Sequence, residues 1–215
     1  MIPEIGNIFL IISFVLAVSI FCLASYSYYL NKEILNLSNL VYFKFVSILV
    51  SFIALEISFL SDDFSVLYVA SNSNPFLPIY YKFSALWGGH EGSMLLFILI
   101  LSLWIVLFSL STNYQSVRDK NYLHGFTSLI FLSFAGFTIF TSNPFERLLP
   151  ISPLNGTDLN PLLQDFAFTI HPPMLYLGYA GLVIPFAIAL GRCIGVMEAW
   201  ALRIKKWTTL AWSFL

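Results

Sequence analysis

The chain has 215 residues, of which 59% are hydrophobic, 18% are aromatic and only 10% are charged, and its formal net charge is −1. Because so few charged residues cannot cover a globule with a polar surface, the composition excludes a soluble fold and indicates an integral membrane protein. A net charge near zero provides no basic patch, so nucleic acid is not an expected partner.

The apolar residues form blocks, and a helix needs roughly 20 of them to cross about 30 Å of hydrocarbon. Glu4 stands where a signal peptide has its basic region, so we expect the first block to remain as a helix. The predicted spans are 6–30, 40–60, 93–110, 123–141 and 174–190, and a sixth starts at Trp207. We therefore predict an all-α, polytopic transmembrane helical bundle with five complete spans plus the start of a sixth, forming a single membrane domain over residues 1–215.

Two long loops join these spans, at about 61–92 and 142–173, and they contain only Lys82 and Arg147 as basic residues. Basic residues are retained on the cytoplasmic side of a bacterial membrane, or on the matrix side in a mitochondrion. Seven of them lie in the short connections: Lys32, Arg118, Lys120, Arg192, Arg203, Lys205 and Lys206. We therefore predict a multi-pass protein with both long loops and the N-terminus outside.

Both long loops have the composition of structured segments. In the first loop, apolar and polar residues alternate at short period before the turn residues of 72–75. The second loop contains three turn signals: Asn143-Pro144, Asn155-Gly156 and Asn160-Pro161. We expect two structured outer loops, and ordered loops outside a membrane usually bind something.

The first loop ends in the sequence WGGHEGS, which places His90 and Glu91 at the start of the third span. Two interpretations of this pair are open. His90 either hydrogen-bonds a backbone carbonyl between closely packed helices, or positions an outer ligand or partner together with Glu91. Glu91 alone also suits a helix N-terminus, where the helix dipole favours an acid.

The second loop ends at His171, which is followed by Pro172 and Pro173. Proline is tolerated in the first turn of a helix, so we expect the imidazole to be held just outside the fifth span. Imidazole is a common ligand of haem iron, and Tyr176 and Tyr179 follow closely enough to line a flat cofactor. The same aromatic residues are also typical of interface anchors, and both interpretations stay open.

Two further ionisable residues lie in predicted spans. Glu56 is near the outer end of the second span and is left without a role, and His124 at the inner end of the fourth is interpreted as structural. The sequence contains no phosphate-binding glycine loop, zinc helix or nucleophile elbow. Two classes remain: a haem- or metal-handling enzyme, and a membrane transporter or proton-channel subunit with an outer histidine site.

Six segments of the chain resemble, in the right order, the large haem lyase subunit of the cytochrome c maturation system, the CcmF/CycK/NrfE family. They are MIPEIGN at 1–7, YVASNSN at 68–74, LWGGHEGS at 86–93, FTSNPF at 140–145, DLNPLLQD at 158–165 and HPPMLYLGY at 171–179. The resemblance implies cytochrome c biogenesis in a bacterial or mitochondrial inner membrane. Haem would arrive from the chaperone CcmE and be joined to apocytochrome c on the outer face, together with a CcmH-type subunit.

The resemblance also implies a haem-binding site. By it, His171 is an axial ligand of the haem iron, and no catalytic residue is assigned. The other residues expected at the cofactor site are Pro172, Pro173, Tyr176, Trp87, His90 and Glu91.

The family's tryptophan-rich outer segment, its second outer histidine and its pair of membrane histidines for a resident haem b have no counterpart in this sequence. We therefore expect the chain to be the N-terminal part of a longer haem lyase, either as a fragment or as one subunit of a split protein whose second polypeptide supplies the remainder. By itself it would form an incomplete site, and resident haem b is expected only in the full-length protein.

Overall fold

The computed structural model describes residues 1–30, 36–111, 116–195 and 200–215. Over these ranges the chain forms nine α-helices and one 3₁₀ turn, Pro161–Leu163. The helices are α1 Ile2–Leu30, α2 Ser38–Leu60, α3 Leu67–Asn72, α4 Ile79–Ala85, α5 His90–Ser111, α6 Val117–Phe140, α7 Phe166–Gly181, α8 Val183–Cys193 and α9 Trp200–Trp212.

Five segments are long and apolar enough to cross a membrane. They are α1, α2, α5 and α6, together with α7 and α8, which form one span over Phe166–Cys193. The predicted all-α bundle with five complete spans is confirmed. The last span is interrupted at Leu182, because Pro185 has no N–H to bond the carbonyl of Gly181.

The long helices pack side by side into one bundle. Helix α1 lies against α2 and α6, and α5 lies against α2, α6 and α7. Helices α1 and α6 approach closely at Gly125, where an added Cβ would lie 2.5 Å from the Cβ of Ala24. Such small residues allow helix backbones to approach closely in a membrane, where no hydrophobic force drives helix association.

The bundle has two chemically different ends. The loop end consists of residues 61–89 and 141–165, and its two basic residues, Lys82 and Arg147, both form ion pairs. The Nζ of Lys82 is 2.6 Å from Asp62, and Arg147 is 3.3 Å from Glu4 and 3.4 Å from Asp63. The opposite end, which we call the basic end, carries Arg118, Lys120, Arg192, Arg203, Lys205 and Lys206. Lys32, which the sequence places there as well, lies outside the described residues.

The two loops fold together at the loop end. Leu67 N–H donates to the carbonyl of Glu146 over 2.8 Å, and Val66 pairs with Arg147 as an antiparallel bridge. Further along, the Tyr81 hydroxyl donates to the carbonyl of Gln164 over 2.9 Å. These contacts make one cap from two segments that are separated by two membrane spans.

Each predicted span begins earlier in the structure than the sequence indicates, and the difference is largest in α7 and α9, by eight and seven residues. Helix α7 starts at Phe166, because the Asp165 carboxylate accepts the N–H of Ala167 over 2.7 Å and caps the helix. The second loop therefore ends eight residues before its predicted limit of 173. Helix α9 starts at Trp200. The sequence predicts its start at Trp207, because Arg203, Lys205 and Lys206 in the first two turns interrupt the apolar block.

Candidate functional site

The WGGHEGS segment is built around Tyr68, which is buried in α3. The Tyr68 hydroxyl donates to the carbonyl of Leu86 over 2.8 Å and accepts the N–H of Gly89 over 2.9 Å. An added Cβ on Gly92 would lie 1.7 Å from the Leu86 oxygen, so only glycine fits there. Burial raises the pKa of Tyr68, which keeps the hydroxyl protonated as a donor.

His90 is the first residue of α5 and is exposed. Its Nδ1 lies 2.7 Å from the Oγ of Ser142, two residues after the end of α6, and its ring packs edge-on against Phe137 at 5.3 Å. The partner that the structure gives to this nitrogen is a side-chain hydroxyl and not the backbone carbonyl of the first interpretation. The contact joins the start of α5 to the end of α6.

Glu91 lies in the first turn of α5 and is half-buried. At this position a carboxylate is stabilised by the partial positive charge of the helix N-terminus. Its placement therefore agrees with the interpretation as a helix N-terminal acid.

Trp87 connects the WGGHEGS segment to helix α7, which carries His171. Pro172 lacks an N–H, so the Phe168 carbonyl four residues earlier loses its usual helical partner. The Trp87 indole Nε1–H donates to that carbonyl over 3.3 Å, and the ring packs edge-on against Phe83 at 5.2 Å. The two segments singled out in the sequence are therefore joined by a hydrogen bond that depends on the proline.

The prediction that His171 lies just outside the fifth span is wrong. Because α7 begins at Phe166, His171 is in its second turn, and Pro172 and Pro173 lie inside the helix. The imidazole is nevertheless exposed, next to a stripe of exposed apolar side chains spaced four residues apart: Phe166, Ile170 and Met174, of which 74%, 47% and 38% is exposed. An exposed imidazole beside an apolar stripe suits a flat apolar ligand with a metal at its centre.

Tyr176 lies on a different side of α7 from His171. Five residues turn a helix by about 140° from the starting direction. Tyr176 packs edge-on against Phe97 at 5.9 Å and lines a cavity of about 220 Å³ between α5, α6 and α7. Tyr179 is 57% exposed. The structure does not bring Tyr176 and His171 together in one site.

Of the described residues, no three His, Cys, Asp or Glu side chains come together in a way that could hold a metal ion. His124 is fully buried towards the basic end, with its Nε2 3.4 Å from the Oγ of Ser109. Glu56 is 9% exposed, and neither carboxylate oxygen has a hydrogen-bond partner among the described residues.

Three residues of the site were missed by sequence reasoning: Tyr68, Ser142 and Phe168. The signal for Phe168 was present, since a proline inside a helix always leaves a carbonyl four residues earlier without its helical donor. Tyr68 and Ser142 gave no local signal, because their roles arise from contacts with segments distant in the chain.

Comparisons with known proteins agree with one another. A family model described as "Cytochrome C assembly protein" matches residues 87–215. The cytochrome c-type biogenesis protein CcmF of Pseudomonas aeruginosa is 42% identical over 219 residues, covering 100% of this chain and 33% of the relative. CcmF of Escherichia coli is 38% identical over 222 residues, covering 100% of this chain and 34% of the relative.

A solved structure, "Cytochrome c Heme Lyase CcmF", superimposes with a TM-score of 0.83 at 25% identity. The match covers 100% of this chain and 34% of that chain. The chain thus spans about a third of the length of these relatives.

Proposed function

This chain belongs to the CcmF haem lyase family of cytochrome c biogenesis proteins, and on that premise we propose that it receives haem from the chaperone CcmE and helps to attach it to apocytochrome c. A CcmH-type subunit would present the apocytochrome. The activity proposed is that of a complete haem lyase, in which this chain would supply one part of the haem site.

The observation that carries the proposal is the exposed His171 at the loop end of α7. Its imidazole would bind the iron of the substrate haem as an axial ligand. The apolar stripe of Phe166, Ile170 and Met174 beside it offers a surface for the porphyrin edge. Holding the iron fixes the positions of the vinyl groups, which is an orienting contribution to the reaction.

The ligation itself needs no redox reagent at the vinyl group. Each cysteine thiol adds across a vinyl double bond, so that a sulfur–carbon bond forms and the thiol proton goes to the other vinyl carbon. The role proposed for His171 is to hold haem while this addition occurs. Pro172 and Pro173 would stiffen the helix that presents it, and Trp87 would anchor that helix to the cap through Phe168.

We assign His90 and Glu91 to the support of this face, as an outer polar pair at the start of α5. The bond from His90 to Ser142 fixes the pair against the end of α6. Tyr176 would contribute through its packing against Phe97, at a distance from the iron ligand.

We also propose that the protein lies in a bacterial or mitochondrial inner membrane, with the loop end and the N-terminus outside. The distribution of basic residues supports this orientation, because six of them mark the basic end and the two at the loop end are ion-paired.

The test is haem loading of the full-length protein by its chaperone, followed by Soret absorbance. His171→Ala should reduce loading at least about tenfold, as expected when a metal ligand's contribution is lost. The variant should unfold at the wild-type temperature, since His171 is exposed. Leu202→Ala changes an 82% exposed residue at the basic end, away from the proposed haem site, and this control variant should load normally. Normal loading of His171→Ala would remove the assignment.

The alternative, a transporter or proton-channel subunit, has two observations in its favour. Helix α7 is separated from α8 in mid-span at Leu182, and Glu56 is buried without a partner among the described residues. The break has a local cause in Pro185, and the space beside it is filled by Trp104. Ion flux through liposomes that depends on Glu56 would favour this alternative over haem handling.

A further inference from the structure

A groove separate from the haem-handling face opens between α1 and α6, towards the basic end. It has a volume of about 200 Å³, and Phe21, Ser25 and Leu129 form its walls. Tyr28 and Tyr122 line it as well, and both lie nearer the basic end along their helices. The wall from residue 21 to residue 28 is about 10 Å long at the usual helical rise, so the groove has an apolar interior and a polar mouth.

Helices α1 and α6 pack together along much of their length, from the ring contact of Phe14 with Phe140 to the level of the groove. At the groove, Gly125 lies so close to Ala24 that an added Cβ would be 2.5 Å from the alanine Cβ. The larger side chains of Phe21 and Leu129 line the cleft beside this contact. Phe126, at the far side of the cleft, packs against Phe186 of α8 at 5.7 Å and closes it there.

A cation lies at the mouth of this groove. The guanidinium carbon of Arg118, in the first turn of α6, is 6.0 Å from the centre of the Tyr28 ring. The Arg118 side chain is exposed, so its donors are accessible at the boundary of the bundle. Lys120 adds a second positive charge within the same turn, against one acidic residue, Asp119. Two tyrosines and an arginine at the end of a span are the groups that meet lipid headgroups.

We propose that this groove binds one anionic glycerophospholipid, with an acyl chain along the α1–α6 cleft and its phosphate at Arg118. The apolar walls favour a lipid acyl chain. The positive charge at the mouth favours an acidic headgroup, because each nearby basic residue strengthens binding to anionic lipid. Tyr28 and Tyr122 line the groove, and their hydroxyls would donate to the ester and phosphate oxygens. The proposal is independent of the role of His171, because the groove lies towards the opposite end of the bundle.

Native mass spectrometry of the full-length protein in detergent tests this, with phosphatidylglycerol and phosphatidylcholine added separately. Arg118→Gln should weaken phosphatidylglycerol binding about fivefold, the effect of one basic residue at a lipid surface, and leave phosphatidylcholine binding unchanged. Ser25→Phe should fill the groove and remove the bound phosphatidylglycerol. The matched controls are Arg203→Gln in α9 and Ser19→Phe in α1, which lie outside the groove and should bind as wild type.

Wild-type binding of phosphatidylglycerol by either Arg118→Gln or Ser25→Phe would overturn the proposal. An equal loss of both lipids in Arg118→Gln would also overturn it, because the site would then lack the charge selectivity on which the assignment rests. Haem loading by the Ser25→Phe protein gives an independent control, since it should stay at the wild-type level.

Discussion

Pro172 removes one hydrogen bond from α7, and Trp87 replaces it from another part of the chain. The Phe168 carbonyl needs a donor, because a backbone carbonyl away from water loses free energy when it is unpaired. The indole of Trp87 supplies that donor and also buries its own ring, which is only 5% exposed. A single side chain thereby sets the distance between the cap and the helix that carries His171.

Trp87→Phe keeps an aromatic ring but removes the indole N–H. We expect a loss of about 1–2 kcal/mol in the free energy of unfolding, the usual cost of one unpaired polar group. The measurement is thermal unfolding in detergent. Trp212→Phe is the matched control, because Trp212 is 70% exposed and should tolerate the change. Equal unfolding temperatures for Trp87→Phe and wild type would show that the carbonyl finds another partner.

At the scale of elements, the spans followed from hydropathy alone because each one is an apolar block of membrane length. The starts of α6, α7 and α9 did not. Charged residues lie in the first turns of α6 and α9, and α7 begins before a histidine and two prolines that indicated a loop. Asp165 resembles a loop residue until its carboxylate is seen to cap α7, and this shifts His171 from a loop into a helix. In α9 the first turns were missed because their charged side chains lower the local hydropathy.

The candidate site was predictable in its parts and not in its arrangement. His90 and His171 were visible as histidines beside helix starts, and His171 is exposed as a ligand needs to be. Their partners were not visible, because the bonds to Ser142 and through Trp87 join segments far apart in sequence. Tyr176 follows His171 closely in sequence, but helical geometry turns it to another side.

The cap residue of α7 gives a prediction for this element. Asp165→Ala should cost about 1 kcal/mol of stability, because the N–H of Ala167 loses its acceptor. Fraying of the first turn would show as faster hydrogen exchange at 166–169. Asp165→Asn should retain both the stability and the slow exchange, since its amide oxygen can cap as well. Fast exchange in both variants would show that charge, and not capping, holds the helix start.

At the scale of the whole molecule, the loop end and the basic end differ in the number and the pairing of their basic residues. Lys82 and Arg147 at the loop end are engaged by carboxylates, while the basic end gathers six basic residues. Because Lys and Arg are retained on the inner side of a membrane, the end with only two of them fits the side that we place outside.

Site-directed cysteine labelling tests that orientation. In a variant without Cys22 and Cys193, both of which are exposed, Ile151→Cys should react with a membrane-impermeant maleimide added from outside. Leu202→Cys, near the basic end, should react only after the membrane is opened. Both positions are over 80% exposed, so a difference in labelling reports the side and not the burial. Reversed labelling would invert the proposed topology.

The pairing of Val66 with Arg147 also sets an order of events during biosynthesis. The first loop leaves the ribosome before α5 and α6, and at about 5–20 residues per second several seconds pass before Arg147 is made. Until then the backbone of Leu67 has no Glu146 carbonyl to bond, and α3 cannot take its final place. The scaffold around Tyr68 and Trp87 therefore matures only after the fourth span has been inserted, so a nascent chain arrested before that point would present an unfinished cap.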